Sequence, residues 1–536
     1  MIKTLYVFLY SLILLPLIAL AHEGGESHGT HLGKIHFPTS GNKNAQPFFE
    51  TGVMWLHSFE YKEARENFQK AENIDPNFSM AYWGEAMTYN HPLWSEQDLN
   101  AGTDALKKLA PTNAERIQKA NTPKEKGLMN AVNILYGKDD KKTRDRKYAD
   151  LMRELYRQYP NDDEIASFYA LALLGTTEGQ RDFRIYMQAA GIAEEIFGRN
   201  PLHPGALHYA IHSYDDPIHA PLGLRAARAY AKMAPDASHA LHMPSHIFLA
   251  LGLWDDVIAS NKAAWEAGVR QNISRDPRAY TIDDLHALEW LSYGYLEKHD
   301  FHTAYKLTKT MENIAEKTNS PMAKWYYGLM RAAYITETHN WNSNLKSLDM
   351  TNVELSASSS DLYTNGLIAL NSNHDAAGIQ AAKNILAKLI KKIPKHFSKN
   401  ATYPDYFTSV TSSGITATNI MVLELQSHIL LSEGKINQAI IVLKKAARLE
   451  DQTSFGYGPP IPVEPSYELL AKILLQEKKY GEAYRKYIIA LKRMPNRTDS
   501  VLGSKEASDK LIALGLPVPE GIAPYFNKLL LPEYYH

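Results

Sequence analysis

Two His-x-x-x-His pairs, His208/His212 and His242/His246, stand 34 residues apart member for member. Side chains four apart leave a helix on one face, so each pair can aim two imidazoles at a common point. Imidazole is the usual protein ligand for Zn, Cu, Ni or Fe. Asp215 and Asp216 follow the first pair, and "IDDLHALEW" adds Asp283, His286 and Glu289 downstream of the second. The expected metal set is His208, His212, His242 and His246, with His286 and Asp283 as further ligands. An acid such as Asp215, Asp216 or Glu289 would handle protons if the ion kept an open position. The competing reading is a buried polar seam, in which these rings hydrogen-bond to backbone and to the aspartates.

Further candidates are His57 and His91, again 34 residues apart, which with Trp55, Trp83 and Trp94 could line a ligand groove. Aromatic packing between repeats is the bland account of the same residues. The stretch "HEGGESHGTHLGK" carries His22, His28 and His31, a loose tail able to capture metal, with His36 just beyond it. Its Gly25-x-Ser27-x-Gly29 string lacks the preceding strand that a nucleophile elbow needs, so it carries no hydrolase signal. No P-loop, G-x-G-x-x-G, H-E-x-x-H or EF-hand pattern is present.

The elements that must position these residues are read from a repeat of the same length. A tetratricopeptide unit is a helix-turn-helix of about 34 residues with small residues at the helix crossing and a closing Pro. From Ala45 the slots are filled by Gly52, Trp55, Ala64, Phe68, Ala71 and Pro76; from Glu464, by Ala471, Leu474, Ala483, Tyr487, Ala490 and Pro495. Pro201 and Pro235, one repeat apart, close two central units, which puts both histidine pairs on equivalent turns of successive first helices. Those helices should line the concave face of an all-α solenoid of about twenty helices, with four imidazoles meeting across one repeat interface. Pro244 falls inside the second of them, where it must either kink the helix or begin a new one. Insertions are expected at 90–126, 351–361 and 394–414.

At 536 residues the chain is too long for one compact core, and 45% hydrophobic with 22% charged is globular composition. A formal net charge of −1 without a basic block gives no reason to expect nucleic acid as partner. Residues 1–21 read as a signal peptide, with Lys3, an apolar run and Ala19-Leu20-Ala21, so a periplasmic or secreted location is expected. The absence of cysteine excludes disulfides, and no later stretch is apolar enough to span a bilayer. The expected order is a flexible tail at 22–44, then N-terminal repeats 45–200, His-rich central repeats 201–320 and C-terminal repeats 321–536.

The segments "AQPFFETGVMWLHSFEYKEARENFQKAENIDPNFSMAYWGEAMTYNHPLW", "HYAIHSYDD" and "HALHMPSHIFLALGLWDDVIASN" resemble a group of exported bacterial tetratricopeptide-repeat proteins. "FGYGPPIPVEPSYELLAKIL" is similar to a Tyr and Pro-Pro segment that leads into the closing repeat of that group, with Pro462 where an aromatic is expected. The resemblance implies a scaffold that binds a protein, peptide or small ligand in its concave groove. Three functions follow as expectations: such a scaffold holding a divalent metal (Zn, Cu or Fe) at its histidines, a metal-dependent hydrolase or oxidoreductase using the same cluster, and a metal-free interaction scaffold.

Overall fold

A computed structural model describes residues 31–177, 181–273, 280–373, 375–394 and 406–519; the expected signal peptide and residues 22–30 of the expected tail lie outside them. The described residues form helix after helix, as the repeat slots require. In chain order these are α1 (Gln46–His57), α2 (Tyr61–Ile74), α3 (Ser79–Met87), α4 (Leu99–Leu109), α5 (Asn113–Lys119), α6 (Pro123–Leu135), α7 (Lys141–Gln158), α8 (Asp163–Gly175) and α9 (Phe183–Arg199). The central helices are α10 (Pro204–Tyr214), α11 (Ala220–Met233), α12 (Ser238–His242), α13 (Pro244–Leu251), α14 (Trp254–Ile273), α15 (Ile282–Glu297), α16 (Phe301–Thr318) and α17 (Pro321–Thr338). The last are α18 (Leu355–Asn373), α19 (Ala376–Lys392), α20 (Ser412–Ser432), α21 (Ile436–Asp451), α22 (Ser466–Gln476), α23 (Tyr480–Arg493) and α24 (Thr498–Ala513). Each packs on its neighbours in sequence, so the architecture is an all-α solenoid of tetratricopeptide type. The described residues hold one two-stranded ladder, Asn90–His91 with Glu96–Gln97. No helix among them is long and apolar enough to cross a membrane.

Local chemistry sets the helix ends. His203 caps α10 by accepting from the Ala206 amide, and Pro204 occupies its first turn. Thr281 and Asp284 form a reciprocal cap at the start of α15. At Pro244 the second first-helix is divided: α12 ends at His242, α13 starts at Pro244, and Met243 between them keeps helical angles. The proline lacks the N–H that would continue the ladder, so the helix is interrupted there.

Three expectations are corrected. The expected flexible tail is packed from its first described residues: Leu32 and Phe37 are fully buried, the Lys34 amide donates to the Leu202 carbonyl at 2.8 Å, and Phe37 lies 5.3 Å from the Phe49 ring. The expected insertion at 90–126 is mostly helical, because Thr112/Glu115 and Thr122/Glu125 make capping boxes that start α5 and α6. The expected insertion at 351–361 runs instead from 339 to 354, and α18 begins at Leu355.

The solenoid is not a simple row of neighbours. Arg497, ahead of α24, reaches Glu297 on α15, and Trp254 of α14 donates to the Asn496 carbonyl at 2.9 Å. The segment around Tyr457 crosses to Arg181, and Gly458 lies on the Trp290 ring. The C-terminal repeats therefore cover the His-rich central ones.

Candidate metal centre

The histidine pairs do not merge into one four-histidine site. His208 and His212 of α10 are joined by His239 of α12, while His242 and His246 are joined by His286 of α15; within each set the ligating nitrogens lie within 4.8 Å of one another. The physical reason is reach. Rings four residues apart on one helix bring their Nε2 atoms to about hydrogen-bond distance, whereas axes of packed helices stand about 8–10 Å apart, so each pair finds its third ligand on the nearest turn of the next helix. The two sets lie side by side, with 5.7 Å between the His212 and His246 rings and 6.3 Å between those of His239 and His242. The rings are also buried rather than spread along an open concave face: His208 is 0%, His212 7%, His242 2% and His246 6% exposed.

The outer nitrogens fix the tautomers. His208 Nδ1 lies 2.6 Å from the His57 carbonyl, a group left free at the end of α1; a carbonyl only accepts, so this nitrogen carries the proton and Nε2 is bare. The bare Nε2 meets His212 Nε2 at 3.0 Å. His239 Nδ1 donates to Asp283 at 2.9 Å, and its Nε2 is buried with no partner. In the second set His242 Nδ1 faces Asn261 Oδ1 at 2.6 Å, and the Asn261 amide is held in that orientation by donating to the Val257 carbonyl. His246 Nδ1 donates to Asp215 Oδ2 at 2.7 Å. With the single proton of each ring on Nδ1, both Nε2 atoms are bare, yet they stand 3.1 Å apart. Two lone pairs repel at that distance unless a proton or a metal ion lies between them.

Burial disfavours the protonated form of four of these rings. Burial, followed by the neighbouring His239, holds His208 well below the ordinary imidazole range. Burial and His208 do the same for His212, and burial and His286 for His242. His286 is pushed down to about 3 by burial and His246. Neutral imidazole is the form a metal binds. Phe59, in the left-handed region at φ 58°, packs against the first set, with ring centres 4.3 Å from His208 and 5.7 Å from His239. Trp290 closes the second, 4.6 Å from His246 and 4.9 Å from His242.

A third group shows what the bland reading looks like when it is true. His203 Nδ1 accepts the Ala206 amide, so Nε2 carries the proton and donates to Glu164 at 3.0 Å. His57 Nε2 meets the other Glu164 oxygen at 2.8 Å, and its Nδ1 meets the Tyr209 hydroxyl at 2.8 Å. Every polar atom in this knot has a partner, and no two lone pairs face each other. Burial alone would raise the Glu164 carboxyl, but the charges and hydrogen bonds of His203 and His57 outweigh it and hold the group far below the carboxylate range.

The remaining sequence candidates divide by environment. Asp215 pairs with His246 and Asp283 with His239, each at the Nδ1 of a candidate ligand ring. Asp216 accepts from the Ile218 and His219 amides and from the His219 ring, an arrangement that positions the start of α11. Glu289 sits buried on α15, its carboxyl raised to about 8 by burial. The expected groove of His57, His91, Trp55, Trp83 and Trp94 is not formed as one surface. Trp55 and Trp83 are core, His57 belongs to the Glu164 knot, and only His91, stacked 3.9 Å from Tyr61, and the half-exposed Trp94 stand near the surface. Sequence reading missed His239, His203, Glu164 and Asn261. His239 was detectable, one turn before His242 in "SHALH", and so was His203, the cap of the helix that carries His208; Glu164 and Asn261 come from other helices.

No family model matches the chain, and no curated protein matches it. Among solved structures it is similar to yeast Tom70, with 13% identity and a TM-score of 0.30 over 88% of this chain and 89% of that one. It is similar to the P58(IPK) TPR domain at 13% identity and TM-score 0.21 over 88% and 99% of the two chains. A human IFIT1 dimer with PPP-AAAA matches at 14% and 0.33 over 91% and 99%. At such identities and scores, ligand chemistry rests on this chain's own residues.

Proposed function

We propose that this chain is a transition-metal protein of two ions, one held by His208, His212 and His239 and the other by His242, His246 and His286. The observation that carries the reading is the 3.1 Å approach of the His242 and His246 Nε2 atoms while both Nδ1 atoms donate elsewhere. All-imidazole sets without thiolate suit Cu, Zn, Ni or Fe. Three protein ligands per ion leave a coordination position for water or substrate, which is the signature of a reactive rather than a purely structural ion. The centre is thus read as metal-dependent chemistry, hydrolytic or redox, housed in a helical-repeat scaffold. The Ala19-Leu20-Ala21 pattern supports an exported location, which N-terminal sequencing of protein recovered from the cell envelope would test.

Elemental analysis of the chain purified without an affinity tag is the direct test. Two equivalents of metal are expected, one lost in His208→Ala and the other in His242→Ala. His203→Gln, in the satisfied knot, should retain both. A preparation that is metal-free and takes up neither Zn nor Cu would sink the proposal.

A further inference from the structure

Arg181 stands one carboxylate away from His246, beyond Asp215, with two nitrogens of its guanidinium lacking a hydrogen-bond partner. The side chain is 2% exposed, Nε donates to the Phe455 carbonyl at 3.2 Å, and the group lies 4.1 Å over the Tyr457 ring. Nη1 and Nη2 are buried with no hydrogen-bond partner. The nearby carboxylate, Asp215, is 3.8 Å from Nη2, outside hydrogen-bond reach, and already accepts from His246. Trp290 Nε1, on the indole packed against His246, is likewise buried and unpartnered. Buried donors are nearly always satisfied, so the free Nη1 and Nη2 of Arg181 point to something that accepts from them.

Charge identifies the acceptor. Imidazole ligands contribute no negative charge, so two divalent ions and Arg181 outweigh Asp215 and Asp283 around them. Resting on the two-ion reading, we infer that the centre takes a small oxyanion, a carboxylate or an inorganic oxyanion, gripped by Arg181 and completing the open metal position. The segment at Tyr457 and Gly458 covers this side. Gly458 adopts φ +104°, and a Cβ there would come within 2.7 Å of the Trp290 ring, so the backbone lies directly on the indole. Asp215 holds His246 by a hydrogen bond and attracts Arg181 only as a charge at 3.8 Å.

The test uses the full chain loaded with Co(II), its metal content confirmed by elemental analysis and its visible d–d spectrum followed during titration with acetate, phosphate or uncharged acetamide. Acetate or phosphate should give a saturable spectral change and acetamide none; whichever anion responds assigns the source. Arg181→Lys should weaken anion binding about tenfold or more at unchanged metal content, because a point charge replaces a planar fork. If that buried variant does not fold, the wild-type contrast of acetate with acetamide still decides. A loaded wild-type chain with no saturable anion response, or Arg181→Lys binding as the wild type does, overturns the oxyanion. A chain that takes up no Co(II) overturns the two-ion reading as well.

Discussion

At the scale of single residues, what separates a ligand from a core histidine is the partner of its second nitrogen. His57 and His203 spend both nitrogens on hydrogen bonds, whereas His239 donates through Nδ1 and leaves Nε2 buried and unpartnered. His239→Ala should therefore halve the metal content while leaving the second set loaded, as read by elemental analysis; retention of both equivalents would remove His239 from the site. Glu289 offers a pH-dependent prediction. Its carboxyl is raised to about 8, so the folded chain favours the proton, and the stabilisation is complete below the unfolded value near 4.5 and lost as pH rises through about 8. In the chelator-treated chain Glu289→Gln should abolish roughly 3–5 kcal/mol of that loss. Urea unfolding of both proteins at pH 5 and pH 8.5 measures it, and identical pH slopes would refute the assignment.

At the scale of elements, the repeat supplies the first helices, and the break in the repeat tunes them. Pro244 divides the second of these helices, yet His242 and His246 still bring their Nε2 atoms to 3.1 Å, against 3.0 Å for His208 and His212, with α13 packed near Trp290 and His286. Pro244→Ala restores a backbone donor and should leave the fold intact while weakening metal at the second set by about tenfold or more, since displacements near 1 Å disrupt coordination. Competition with a chromogenic chelator reads the two sites separately; equal affinities in variant and wild type would make the proline incidental. The same contrast explains what was legible in the sequence. Helix type, the 34-residue phase and the pairing of His208 with His212 follow from periodicity and closing prolines. The capping boxes at Thr112 and Thr122 were equally legible, and composition misled where Asn, Thr and Pro were taken as insertion. The grouping into two sets was not legible, because it depends on which turn of α12 and α15 faces α10 and α13, a matter of helix packing angle. Arg181 was invisible for the same reason, its environment being made by residues about 275 positions away.

At the scale of the whole molecule, closure of the solenoid on itself is what covers the centre, and it turns on Arg497. The guanidinium is 2% exposed, bonds both oxygens of Glu468 on α22 at 2.9 and 3.0 Å, and reaches Glu297 and the Tyr293 hydroxyl on α15 at 3.0 and 2.7 Å. It also pairs with Glu337 on α17, whose carboxyl burial raises to about 8 despite the arginine. One cation thus ties three helices to the start of α24, across 200 residues of sequence in the case of Glu297. Removing it strands buried acids against one another, which costs about 3–5 kcal/mol where a buried pair is broken. Arg497→Met should lower stability by that amount and release the C-terminal repeats, and with them the segment over Trp290. Small-angle scattering should then show a larger radius of gyration, and the second histidine set should exchange its metal faster than the first. A variant of unchanged radius, with a loss under about 1 kcal/mol, would mean that closure is held by the apolar contacts of α14 and α15 instead.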